Sequence, residues 1–289
     1  MRMHLFALLT LFSLVLLIGC GGDQPATEDK ALAQASGSLA AFDNLEGTLD
    51  IAGGTAHIPV MKAAAQAIME HNPKIRITVA GGGSGVGVQK VGEGLVQIGN
   101  AGRPLSEDEK TKYGLQSWPF AIDGVCVVVH PENPVKALTT AQVQDLFAGK
   151  ISSWQEVGGA DAPVHLFTRD EASGTRKVFW KKALKKGEIT TSANVVASNG
   201  AMKTAIAGDP QALGYVSIGH LDDQLKAPDL DGVEVNQLNA AGGQYPVVRK
   251  LFMNTKGDLD PLTRAFVDYV TGPAGRVFVQ QSGYLAMPE

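Results

Sequence analysis

From Gly47 to the C-terminus, short runs of strand character alternate with runs of helical period, and this alternation constrains the chain more than any other feature. Gly47 to Ala52, Lys74 to Ala80 and Gln97 to Asn100 read as strands, with helices at Pro59 to Glu70 and Val86 to Glu93 between them. A second cycle opens after Pro119. It holds an apolar run from Phe120 to His130, a helix at Thr140 to Phe147 and a strand at Pro163 to Thr168. Helices at Thr175 to Leu184 and Ala201 to Ala207 and a strand at Gly214 to Ile218 complete it. Tyr245 to Met253 reads as a returning strand, followed by helices at Leu262 to Thr271 and Ala274 to Gln281. The order predicts an α/β fold with mostly parallel strands. Two cycles joined by two crossing strands predict two lobes, residues 47–121 with 251–289 and residues 122–250, with a ligand cleft between them.

The N-terminal stretch is a different material. Met1 to His4 form a short basic head, and Leu5 to Ile18 are almost wholly apolar. That run is shorter than the ~20 residues a helix needs to cross a bilayer, so residues 1–19 read as a signal peptide. Leu17 and Gly19 before Cys20 resemble a bacterial lipobox, which implies acylation of the Cys20 thiol and a lipid anchor at a membrane surface. Residues 20–46 are mostly small and polar and are expected to form a flexible tether without fixed structure. The other cysteine, Cys126, sits in the strand pattern from Val125 to Val129, so no disulfide is expected and packing must stabilise the domain. Apolar residues make up 44% of the chain and charged residues 19%, enough for a sizeable core. A net charge of −4 argues against a nucleic-acid partner.

Three turns share one plan: a strand ends, glycine and hydroxyl residues follow, and a helix begins. They are Ala52 to Ala56, Gly81 to Gly87 and Arg169 to Arg176. At a helix start the first backbone N–H groups have no intrahelical partners and the dipole adds partial positive charge, so an anion meets donors already aimed at it. Glycine admits close backbone approach, and Ser or Thr adds a hydroxyl. Any one such residue is equally an ordinary N-cap. Three at the C-terminal ends of strands, where α/β proteins bind ligands, point to a small oxyanion.

Other glycine-rich motifs fail on residue identity. Gly82 and Gly87 have the spacing of a nucleotide-phosphate loop, but Val88 and Gln89 stand where Lys and a hydroxyl residue are required. A dinucleotide fingerprint from Gly83 meets Val88 at its last glycine position, and a nucleophile elbow around Ser84 meets Val86. The six histidines show no paired ligand spacing, so no metal site or cofactor is expected. His57 could line the cleft, although a surface position is expected. A phosphoesterase using Ser84 or Thr55 as nucleophile would need an activating base or metal, and the sequence places neither beside them. A surface scaffold or adhesin is a third reading for a lipoprotein.

From Gly47 onward the chain resembles the phosphate-binding proteins of phosphate-specific ABC transporters, members of the type II periplasmic-binding fold. Seven segments carry the resemblance in order: 53–55, 80–87, 98–106, 120–135, 147–159, 169–176 and 212–221. It implies that Thr55 and Ala56 donate from the first helix start, Ser84 from the second, and Ser173, Gly174 and Thr175 from the third. Arg169 would supply a fixed cation suited to two oxyanion oxygens, while Arg176 would be a lip or structural residue. Two departures stand out. Gly102 occupies the place of an aspartate found in better-known members, and Glu171 replaces another. Some branches carry Ser-Arg at 102 and 103, so Arg103 is expected to be a second cation at the site. Glu171 is the candidate acceptor for the proton of hydrogen phosphate, with an ion pair to Arg169 or Arg176 as its alternative. The implied function is capture of inorganic phosphate, or another oxyanion of sulfate or phosphonate type, by a monomeric extracytoplasmic lipoprotein that delivers it to an ABC permease.

Overall fold

The computed structural model describes residues 39–288. The expected signal peptide, residues 1–19, and Cys20 lie outside the described residues. The first cycle runs β1 (Gly47–Gly53), α1 (Ile58–His71), β2 (Ile75–Gly82), α2 (Gly83–Gly92), β3 (Ile98–Ala101) and α3 (Glu107–Tyr113). Next come β4 (Leu115–Val129), β5 (Ala137–Leu138), α4 (Thr140–Phe147), β6 (His165–Arg169), α5 (Gly174–Lys182) and β7 (Asn194–Val196). The second cycle closes with α6 (Asn199–Ala207), β8 (Ala212–Ser217), β9 (Asp229–Leu230) and α7 (Gln237–Ala241). The chain ends with β10 (Val248–Lys256), α8 (Pro261–Thr271), α9 (Pro273–Gln281) and β11 (Leu285–Ala286).

Nine strands form one hydrogen-bonded path in the order β2-β1-β3-β10-β4-β8-β6-β7, with β11 added to β4. The β–α units at each end pair in parallel: β1 with β2 and β3, and β6 with β7 and β8. The middle differs from the mostly parallel expectation. β10 is antiparallel to both β3 and β4, and β4 is antiparallel to β8, because the chain crosses once outward on β4 and once back on β10. β4 is also longer than its apolar run suggested. Its first part pairs with β10 from Leu115 to Gly124, and its last part pairs with β8 from Val125 to Val129.

The apolar interior divides where these strands cross. One cluster draws on residues 42–121 and 251–284, the other on residues 125–247. In the first, α1 buries Val60, Met61, Ala64, Ala65 and Ile68, one helical stripe set by the three-to-four-residue spacing. In the second, Phe147, Phe179 and Tyr215 pack together, with Phe179 and Tyr215 stacked at 4.2 Å between ring centroids. The Tyr215 hydroxyl then reaches out of this core, lying 3.0 Å from Thr168 Oγ1 and accepting from the Arg169 backbone N–H at 3.1 Å. Core packing thereby fixes the end of β6.

Residues 39–46, expected to belong to the tether, are docked on the domain. Ala40–Phe42 form a 3₁₀ turn, Phe42 is fully buried against Tyr269, and the Asn72 amide donates to the carbonyls of Phe42 and Leu45. One aromatic side chain among polar neighbours suffices to dock this segment, a signal that average composition conceals.

Replacing Phe179 by Ala should cost about 3–5 kcal/mol, the usual range for a buried aromatic. At about 2–4 °C per kcal/mol for a domain this large, thermal unfolding should show a midpoint lower by about 10 °C. An unchanged midpoint would show that the aromatic cluster does not hold the second lobe together.

Candidate functional site

The three glycine–hydroxyl turns meet between the lobes. The cavity there is lined from lobe 1 by Gly54 to His57, Gly83, Ser84 and Gly102, and from lobe 2 by Arg169 and Ser173 to Thr175. Arg249 of β10 completes it. The space these residues enclose is small, on the scale of one small ion and not of a larger organic ligand. The lobes touch around it: Gly85 N–H donates to Ala172 O at 3.0 Å, and the N–H and side-chain amide of Asn199 donate to Thr55 Oγ1 at 3.2 and 3.1 Å. Gly174 must lack a side chain, because a Cβ there would lie 2.0 Å from Ser84 Oγ.

Each hydroxyl on the wall already accepts a hydrogen bond from the protein. Thr55 accepts from Asn199, and Ser84 accepts from Gly102 N–H at 2.9 Å. Ser173, the N-cap of α5, accepts from Arg176 N–H at 3.1 Å, and Thr175 accepts from Arg249 Nη2 at 3.0 Å. A hydroxyl has one proton to give. With its oxygen engaged as an acceptor, each of the four keeps that proton for a ligand.

Arg169 is 1% exposed. Its Nε and Nη2 donate to the carbonyls of Val196 and Ala197, both at 2.9 Å, while buried Nη1 has no protein partner. Burial lowers its pKa from the ordinary value, yet a guanidinium stays protonated. An oriented, buried and incompletely satisfied cation is an anion site in waiting.

The second cation is Arg249, which sequence reasoning missed. It faces Asp123 in the β10–β4 register. Its Nε and Nη2 each lie 2.7 Å from Asp123 Oδ2. Asp123 also accepts from Ser217 Oγ at 2.9 Å, and burial pushes its carboxyl up while Arg249 pulls it down. The signal was present in the sequence: Asp123 interrupts one apolar strand run, Arg249 and Lys250 interrupt another, and a charge in such a place is rarely buried unless paired.

Arg103 is elsewhere. Its guanidinium grips Glu109 in a fork, Nη1 to Oε2 and Nη2 to Oε1 at 2.7 Å each, and it does not line the cavity. Glu109 is held in turn by the capping box of α3, where it accepts from Ser106 N–H. Arg103 is thus fixed to the helix start rather than turned to the cleft. Glu171 is also outside the cavity: its side chain is 81% exposed and pairs with Arg176 at 2.6 Å. The ion-pair alternative holds for it in this structure. His57 is fully buried, not at the surface, and packs on Phe120 at 5.5 Å between ring centroids. Its burial follows from the 3₁₀ turn Thr55–His57, which places the side chain inside lobe 1 before α1 begins.

Two measurements test this assignment of charges. Asp123→Asn should lower stability by about 3–5 kcal/mol, the cost of leaving a buried partner charge unpaired; a thermal midpoint equal to that of the native protein would remove the pair from the hinge. Hydrogen bonding from Arg103 holds the Glu109 carboxyl down to about 2 from its ordinary 4.5. Because the folded value lies below the unfolded one, this contribution is complete above the ordinary pKa and is lost as pH falls through the folded value. Glu109→Gln should therefore lower stability at pH 7 and flatten its decline in acid, measured by urea unfolding from neutral to acid pH.

The surroundings in which this site occurs are well populated. Residues 26–274 match the model of the PBP superfamily domain. The phosphate-binding protein PstS of Bacillus subtilis is 35% identical over 257 residues, covering 88% of this chain and 85% of that protein. PstS of Pseudomonas aeruginosa is 28% identical, covering 84% of each chain. Among solved structures, a phosphate ABC transporter substrate-binding protein from Clostridium perfringens with bound phosphate superposes with a TM-score of 0.80 and 33% identity, over 84% of this chain and 100% of that one. An ABC-type phosphate transport receptor from Vibrio cholerae superposes with a TM-score of 0.67 and 29% identity, over 83% and 100%. Coverage of both lobes at these identities decides the assignment: the chain belongs to the PBP superfamily and, within it, to the PstS family of phosphate-binding proteins.

Proposed function

We propose that this protein captures inorganic phosphate outside the cytoplasm, held to a membrane by a lipid on Cys20, and delivers it to an ABC permease. The observation that supports this most is the convergence of two buried arginines, Arg169 and Arg249, and four proton-bearing hydroxyls on a cavity sized for one ion. In a protein of net charge −4, such a local excess of donors suits an anion. The relatives named above are phosphate-binding proteins, and the residues here suit the same ligand.

Donors come from both lobes, so an anion stabilises the closed arrangement more than an open one. Ser84 and Thr55 reach from lobe 1, and Arg169, Ser173 and Thr175 from lobe 2. Arg249 sits on the strand that joins them. Closure is then a population shift that a permease senses as a change of shape. Neither Ser84 nor Thr55 has a base as its partner: one accepts from a backbone N–H and the other from Asn199. Their geometry supports binding rather than attack on an ester.

Calorimetric titration of the domain from residue 39 onward, freed of carried-over ligand, should show one phosphate per chain. Arg169→Met should weaken it about a hundredfold or more, as expected for a buried charge-assisted contact. Arg103→Met and Glu171→Gln should stay within about threefold, as rim charges do. Absence of phosphate binding by the native protein would sink the proposal. The anchor is tested separately. Cys20→Ser should move the full-length protein from the membrane fraction to the soluble fraction, and retention on the membrane would remove acylation at that residue.

A further inference from the structure

Hydrogen phosphate differs from sulfate by one proton, so a site that separates them needs a hydrogen-bond acceptor. This cavity is short of acceptors. Glu171 points to solvent, Gly102 has no side chain, and each of the four hydroxyl oxygens already accepts from the protein and has its proton to give the ligand, which leaves at most a second lone pair as acceptor. Asp123 is engaged by Arg249 and Ser217 behind the wall, and Asp170, whose Oδ1 is buried without a partner, is not among the lining residues.

His57 is what remains. It lines the cavity, is 0% exposed, and neither of its ring nitrogens has a hydrogen-bond partner in the protein. Gly54, also on the cavity wall, makes room for it: a Cβ at Gly54 would lie 2.6 Å from Nδ1 and 2.8 Å from Cε1. A neutral imidazole has one N–H and one lone pair. The carbonyls of Gly54, Phe252 and Ala101 stand around the ring and attract the N–H. The charged group that acts on it is a cation, Arg249 of β10, with Asp123 paired to that arginine. Burial, and then Arg249, hold the ring pKa down to about 3, so the lone pair is available throughout the neutral range.

We propose that His57 accepts the hydrogen bond from the proton of bound hydrogen phosphate and is the residue that sets phosphate above fully deprotonated tetrahedral oxyanions. This rests on the phosphate-binding reading above. It gives a neutral ring the task for which Glu171 was the expected residue.

The test is competitive titration of phosphate and sulfate against the native chain, His57→Phe and His57→Gln at pH 7.5. Phenylalanine keeps an aromatic ring against Phe120 but has no acceptor, whereas glutamine restores an acceptor oxygen. The expected result is a native preference for phosphate that falls about tenfold or more in His57→Phe, as for one lost buried hydrogen bond. Sulfate affinity should stay within about threefold, and His57→Gln should recover part of the preference. In the native protein the ¹⁵N resonance of one imidazole nitrogen, assigned by its absence from His57→Phe, should shift on adding phosphate and not on adding sulfate. Equal loss of both anions in His57→Phe, an unchanged preference, or a native protein that does not prefer phosphate would each overturn the proposal. Binding of neither anion by the native protein would remove the phosphate reading itself, and this inference with it.

Discussion

The Asp123–Arg249 pair is the contact on which the rest of the arrangement turns. It joins the two crossing strands at the level of the cavity, and its cation is also part of the cavity wall. A buried ion pair contributes little net stability by itself. Its value here is positional. Asp123 fixes the guanidinium by two nitrogens, and the remaining edge of Arg249 reaches Thr175 in lobe 2 and lies 3.5 Å from the carbonyl of Gly102 in lobe 1. One side chain thus ties together the hinge, both lobes and the ligand space. Arg169 is oriented differently, by backbone carbonyls beyond the end of β6, so no carboxylate of its own competes with an incoming anion.

Binding and closure share the same atoms. Thr55 offers its oxygen to Asn199 across the interface and its proton to the cavity, and Thr175 does the same with Arg249. In the closed arrangement these contacts orient the donors toward the ligand space. Tyr284 extends this linkage to the C-terminal segment, since its hydroxyl donates to Ala56 O at 2.7 Å and lies 3.1 Å from Ser217 Oγ, itself the second partner of Asp123.

Much of this was legible before the fold was seen. The β–α alternation located the three turns, because helix starts are local, and the resemblance to the phosphate-binding family picked out Thr55, Ser84, Arg169 and the Ser173 to Thr175 segment within them. What escaped reading was non-local. Arg249 becomes a site residue only through strand pairing with a partner 126 positions away. Arg103 was expected at the cleft because some branches of the family carry Ser-Arg at 102 and 103, but the capping box of α3 holds a carboxylate that claims it. Nothing local marks Asn199, which forms the lobe 2 side of the Thr55 contact. His57 was judged by the proline that follows two residues later, when the decisive fact is the tight turn that swings it inward.

The docking of Phe42 beneath Tyr269 has a mechanical meaning. The described chain enters the domain through lobe 1, and its first fixed point is a fully buried aromatic in that lobe's core. A force applied through the N-terminus is therefore borne by the lobe 1 interior and does not act across the crossing strands. Lobe 1 behaves as the stator. For a chain held at its N-terminus, as proposed above, opening and closing would then be a swing of lobe 2 against a fixed lobe 1.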